Sequence, residues 1–204
     1  RHRVILLAVD ISSSCFFGSD THLKSFSMAQ IASILTLVGQ YGKDKVGLIV
    51  FSDSVHEYIP PSNGPHQSHR IMQALLSITP STRTTSLKKL FSYVAQLKKR
   101  DALLFVLSDF IDTGFEKNVA VVSRLYDCIA VWFRDPFEIA FPSVGFLTCE
   151  DPETGEHVFV DTRKRNIKKI NNALQAQYEK TRTIFSNNKI DCISIEKQQA
   201  DILT

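Results

Sequence analysis

Apolar positions along the chain fall into two patterns that take turns. The runs "RVILLAVD", "KVGLIVFS", "ALLFVLSD" and "CIAVWF" are continuously apolar over the length of a strand, as expected of strands covered on both faces of a parallel sheet. Between them the spacing changes to three and four. "HLKSFSMAQIASILTLVGQYG" predicts a long helix that stops at Gly42. "HQSHRIMQALLSI" predicts a second helix ending at Thr79 before Pro80, and "TSLKKLFSYVAQLKKR" a third with Lys98, Lys99 and Arg100 at its end, where the helix dipole favours cations. "EKNVAVVSRLY" predicts a fourth. "VHEYI" follows "VGLIVFSDS" too closely for a crossover and predicts an antiparallel edge strand.

Strands and helices in alternation imply a doubly wound α/β fold with a mostly parallel central sheet and one antiparallel edge strand. The segment "RDPFEIAFPSVGFLTCEDPETGEHVFVDT" departs from the alternation. Two alternating runs flank the turn residues Pro152 and Gly155, which predicts a β-hairpin inserted at about 135–162, before a last helix, "RKRNIKKINNALQAQYEKTRTIFSNN", and a last strand, "DCISI". At 204 residues and 44% hydrophobic content, residues 1–204 read as one domain with one core. The start "RHRVILL" and the end "ADILT" suit a piece of a longer protein.

Charge and cysteine usage narrow the partners. Twenty-four basic against 21 acidic residues give a net charge of +3, too balanced for nucleic acid as the main partner. Four widely spaced cysteines without a zinc-type pairing suit a reducing, cytoplasmic compartment. No apolar run reaches the roughly 20 residues of a membrane span, so tethering to a membrane would use segments outside this chain.

The first strand carries the chemistry. "VILLAVD" ends on Asp10 and runs into Ser12, Ser13 and Ser14. In an open α/β sheet, ligands bind at the carboxyl edge where connections diverge. Asp10 sits at that edge, Asp109 ends "LLFVLSD" beside it, and "TPSTRTTS" brings further hydroxyls. Few carboxylates among several neutral hydroxyls suit a hard cation such as Mg2+.

"VDISSS" resembles the Asp-x-Ser-x-Ser signature of the von Willebrand factor A domain and its metal-ion-dependent adhesion site. More narrowly, "VDISSSCFFGS", "VGLIVFSDSV", "PPSNGPH", "VLSDF", "RDPFEIAFPSVG" and "EDPETGEHVFVDT" make the chain similar to the bacterial "domain of unknown function 58" family, in the family's order. The resemblance implies a Rossmann-like fold and a site for Mg2+ or Mn2+ formed by Asp10, Ser12, Ser14, Thr85 and Asp109. Thr84 competes with Thr85, because the family's "GGTDL"-like stretch is "RTTSL" here. Cys15 stands where the family commonly has Met. The implied function is protein binding rather than catalysis: a partner's carboxylate completes the metal's coordination, and a MoxR-type AAA+ ATPase is the implied companion in chaperone-like or assembly work. Arg83, Thr84 and Phe16 lie at the rim of that site. Arg163, Lys164 and Arg165, with Lys168 and Lys169, crowd the start of the last helix, where an acidic partner or a phosphate would offset their unfavourable interaction with the dipole; a plain solvated face is the commoner meaning of such a run.

Two other readings stand beside this one. A magnesium-dependent phosphohydrolase would use Asp10 as nucleophile, although Ser12 occupies the place where such enzymes carry a second Asp. A nucleic-acid-binding module would use the basic helix. The sequence has no Gly-rich phosphate loop and no Gly-x-Ser-x-Gly elbow. His66 and His69 share a helix face without a third ligand nearby and read as solvated residues.

Overall fold

The computed structural model describes residues 2–16, 24–77, 84–98, 102–140, 143–150 and 157–196, with the side chains of 16, 147, 149, 150, 157, 158, 164 and 165 excepted. Arg83, and the side chains of Phe16, Lys164 and Arg165, therefore lie outside the described residues. The central sheet comprises β1 (Val4–Asp10), β2 (Lys45–Phe51), β3 (Val55–Ser62), β4 (Ala102–Ser108), β5 (Tyr126–Arg134) and β8 (Asp191–Glu196). Their order is β3-β2-β1-β4-β5-β8, and every pairing is parallel except β2 with β3. The run read as an edge strand is that antiparallel β3. A separate antiparallel pair, β6 (Phe146–Glu150) and β7 (His157–Asp161), forms the hairpin before the last helix.

Alternation along each strand sorts the core into two layers. Leu6, Ala8, Leu104, Val106 and Trp132 face α3 (Leu87–Leu97), α4 (Glu116–Val122) and α6 (Lys164–Asn187). Ile5, Leu7, Val9, Leu107 and Val131 face α1 (Lys24–Tyr41) and α2 (Pro65–Leu76). Two glycines let neighbouring elements approach closely. A Cβ at Gly39 on α1 would lie 2.7 Å from Val46 Cγ2, and one at Gly47 on β2 would lie 2.8 Å from the Ile59 carbonyl and 2.9 Å from the Pro61 ring. The strand register slips at Gly47, where β3 carries Pro60 and Pro61.

Local outcomes can be set against the sequence reading. "PFEI", expected inside the hairpin region, is a one-turn helix, α5 (Pro136–Ile139), because Asp135 accepts the Phe137 N–H and Glu138 accepts the Asp135 N–H in a capping box. "DCISI" forms the last strand as expected, at the sheet edge with Ile193 51% exposed. α2 ends at Leu76, and the predicted stop at Thr79 before Pro80 lies outside the described residues. Among the described residues no helix is long and apolar enough to cross a membrane.

Candidate metal centre

The connection after β1 leads to α1 on one face and the connection after β4 leads to α4 on the other, so the neighbouring ends of β1 and β4 form the switch point of the sheet. Asp10 closes β1 and Asp109 follows β4, and each is only 1% exposed. Ligating atoms of Asp10, Asp109 and Cys15 lie within 4.8 Å of one another.

Each carboxylate is held by its own loop. Asp10 Oδ1 accepts the Ser12 N–H (2.9 Å) and Oδ2 accepts the Ser108 hydroxyl (2.6 Å), which itself accepts the Phe110 N–H (3.0 Å). Asp109 Oδ1 accepts the Ile111 N–H at 3.3 Å. Phe110 adopts a left-handed backbone (φ 52°), uncommon for a bulky residue. Its ring turns back into the core against Phe185 (5.0 Å) and Trp132 (5.8 Å) while its neighbour Asp109 stays at the sheet edge.

The serines follow β1 in a single 3-10 turn, Ser13–Phe16. Ser12 is buried and its hydroxyl lies 3.0 Å from that of half-buried Ser14 and 3.6 Å from Cys15 Sγ. The second loop reaches the same edge. Ser86 N–H donates to the Ser52 carbonyl (2.8 Å), and Leu87 N–H donates to Asp112 Oδ2 (2.7 Å), which ties the start of α3 to the loop after β4. Thr85 is half-buried there and Thr84 is exposed.

Two buried carboxylates side by side resist ionising together. Burial, then the Asp109 charge, push the Asp10 carboxyl up to about 7. Burial and both anions hold the Cys15 thiol well above its ordinary range, so it stays protonated and donates toward Asp109 Oδ2 (3.9 Å). Oxygen donors with concentrated negative charge and a thiol kept neutral fit a hard divalent cation better than a thiolate-seeking one. Asp10, Asp109, Ser12 and Ser14 are the residues that would hold it.

Three participants escaped the sequence reading. Lys24 heads α1 with its side chain 7% exposed, its ammonium 3.3 Å from Asp109 Oδ2 and hydrogen-bonded to Glu138 Oε1 on α5. Burial opposes its charge, but Asp109 and Glu138 outweigh that and push its pKa upward. Its position four residues before Met28 and eight before Ala32, on the buried stripe of α1, was the legible signal of a buried charge. Glu138 carried the capping-box signature "DPFE". Ser108 carried no signal beyond its adjacency to Asp109.

Other candidate residues stand apart from this cluster. Arg163 caps α6, pairs with Asp161 (2.7 Å) and covers the Phe146 ring at 4.7 Å; its hydrogen bonds hold the Asp161 carboxyl down at about 2. Lys168 and Lys169 are exposed, as are His66 and His69 on α2. Ser52 Oγ meets His56 Nε2, and Asp53 lies 3.7 Å from that same nitrogen. A serine–histidine relay instead places its carboxylate on the opposite ring nitrogen.

The same architecture recurs in solved structures. The conserved hypothetical protein BatB from Bacteroides thetaiotaomicron aligns over 98% of this chain and 95% of its own, with a TM-score of 0.63 and 13% identity. An aerotolerance-related membrane protein from Bacteroides fragilis gives 98%, 94%, 0.62 and 15%. The VWA domain of SpRpn10 aligns over 100% of this chain and 94% of its own, with a TM-score of 0.52 and 8% identity. These likenesses show the fold alone. Among curated proteins, an uncharacterized protein of Mycobacterium tuberculosis is 20% identical over 152 residues, 73% of this chain and 48% of the relative. The chain thus spans about half the length of the curated relatives it matches. The family described as "Protein of unknown function DUF58" matches residues 1–182, and the chain belongs to that family.

Proposed function

We propose that this domain is a metal-dependent protein-binding module. Asp10, Ser12, Ser14 and Asp109, with Thr85 or Thr84 from the second loop, hold Mg2+ or Mn2+, and a carboxylate of a partner protein completes the site. The observation that carries this reading is the pair of buried carboxylates at the switch point, with Asp10 driven toward its neutral form by burial and by Asp109. Such a pair favours a cation, and the bound ion would supply a Lewis-acidic position for one outside oxygen. Asp10 and Asp109 balance a divalent charge, Ser12 and Ser14 add neutral oxygens, and the Ser108 hydroxyl and Ser12 N–H orient Asp10.

A MoxR-type AAA+ ATPase is the companion we propose, with the domain presenting or receiving a client on the cytoplasmic side. The longer curated relatives and the membrane protein of Bacteroides fragilis support tethering through segments outside this chain.

Thermal unfolding with Mg2+, Mn2+ or chelator is the test. Both ions are expected to raise the melting temperature of the wild type and to leave Asp10→Ala unchanged; an equal rise in the variant would overturn the site. Capture of an AAA+ ATPase from the native host in Mg2+ and its loss in chelator would support the adaptor role, and identical recovery in chelator would refute contact through this face.

A further inference from the structure

The metal-site carboxylates already have a cation of their own. Lys24 Nζ lies 3.3 Å from Asp109 Oδ2, the oxygen that also faces the Cys15 thiol at 3.9 Å. Its second partner, Glu138 Oε1, comes from α5, and Glu138 is aimed by the capping box through Oε2, which accepts the Asp135 N–H at 3.1 Å. The side chains of Lys24 and Asp109 are 7% and 0% exposed, and that of Glu138 is 28%. A buried ammonium so placed is not an ordinary surface ion pair, because its charge is little screened by water.

Charge counting gives the arrangement a meaning. Asp10, Asp109 and Glu138 supply three negative charges and Lys24 one positive charge. A divalent ion brings the cluster to neutrality, but only if it and the ammonium coexist around Asp109. Two cations then compete for one carboxylate: the divalent ion keeps Asp10 as its other anion, and the ammonium has Glu138 to retreat to.

We propose that Lys24 is the resident cation of this site, a built-in competitor for the metal, and that Glu138 is the seat onto which its ammonium withdraws when a divalent ion takes Asp109. Metal affinity is then set by residues that never touch the metal: Lys24 lowers it and Glu138 restores part of it. This inference rests on the metal-binding reading above. It makes Lys24 and Glu138 positioning residues that tune occupancy of the site, and it couples metal loading to the contact between α1 and α5.

Calorimetric titration of Mg2+ and Mn2+ into the wild type, Lys24→Met, Glu138→Gln, the Lys24→Met/Glu138→Gln double variant and Asp10→Asn tests it. Lys24→Met should tighten binding at least tenfold, and Glu138→Gln, which leaves the ammonium with Asp109 alone, should weaken it by a similar factor. The double variant removes both charges of the pair, so it keeps the test available if Lys24→Met alone misfolds, and it should bind more tightly than the wild type. Shifts of opposite sign distinguish tuning from a structural role, which would weaken binding in every variant. Wild-type binding that is lost in Asp10→Asn yet unchanged at positions 24 and 138, or weakened by both substitutions, would overturn the inference and leave the metal site standing. No binding by any variant, the double variant included, would overturn both. Binding that appears only when Lys24 is removed supports the competitor in its strongest form.

Discussion

Asp10→Asn separates the charge of Asp10 from its shape. In the folded chain the carboxyl is pushed from 3.8 up to about 7, first by burial and then by the Asp109 charge. Between those two values the native state keeps a proton that the unfolded chain has released, so stability falls as pH rises through that window and levels off above it. A shift of about three units at roughly 1.4 kcal/mol each gives an upper limit of about 4 kcal/mol. Because Asp109 shares in the shift, about 2 kcal/mol is the working figure. Asn keeps an oxygen for the Ser12 N–H and leaves the Ser108 hydroxyl without its carboxylate acceptor, a loss of about 1 kcal/mol that does not depend on pH. The diagnostic quantity is therefore the stability difference between wild type and variant as a function of pH. Urea unfolding in chelator at half-unit steps from pH 4 to pH 8 should show the wild type losing about 2 kcal/mol relative to Asp10→Asn, most of it below pH 7. Added Mg2+ should then stabilise the wild type alone, as expected of a ligand that binds only the native state. A difference constant to within about 0.5 kcal/mol over that range would refute the electrostatic account.

Other expectations follow from the packing. Gly47→Ala places a Cβ against the Ile59 carbonyl and the Pro61 ring; a loss of about 1–3 kcal/mol in thermal or urea unfolding is expected, and an unchanged stability would show that β3 gives way freely. Phe110→Ala removes a ring packed on Phe185 and Trp132 and should cost about 3–5 kcal/mol; full Mg2+ response in that variant would separate the left-handed turn from the site. At pH 8 in a Cys149→Ser background, a thiol reagent should label Cys192, exposed although burial pushes its thiol up, well ahead of Cys15 and Cys128, the latter pushed up to about 12 by burial and then the Asp127 charge, which stay unreacted until unfolding. Rapid labelling of two or more thiols would contradict that burial.

The parallel strands were legible because burial on both faces leaves a continuous apolar run, and no other element of this length needs one. The β1 to Ser14 segment was legible for the opposite reason: hydroxyls at the end of such a run have no packing role. What escaped detection was decided by contacts between distant parts of the chain. Lys24 shares the stripe of Met28 and Ala32, but its partners Asp109 and Glu138 lie 85 and 114 positions away and meet it only when α1 is laid on the sheet. Ser108 acquires its role only when β4 lies beside β1, and its hydroxyl then reaches Asp10 across 98 positions of sequence. α5 is a single turn, too short for periodicity to register. β8 (DCISIE) is only half apolar, against six of seven residues in β1 and β4, so its exposure at the margin follows from its composition as well as from topology.

The two margins of the sheet differ in what they offer a passing strand. β3 contains Pro60 and Pro61, which have no N–H to donate, and the register slip opposite Gly47 breaks the ladder at that point. β8 has no such interruption, but acidic side chains stand at both its ends, Asp191 and Glu196. One border is thus closed by chemistry and the other only guarded by charge. Growth of the sheet by strand exchange between copies would start at β8 rather than at β3.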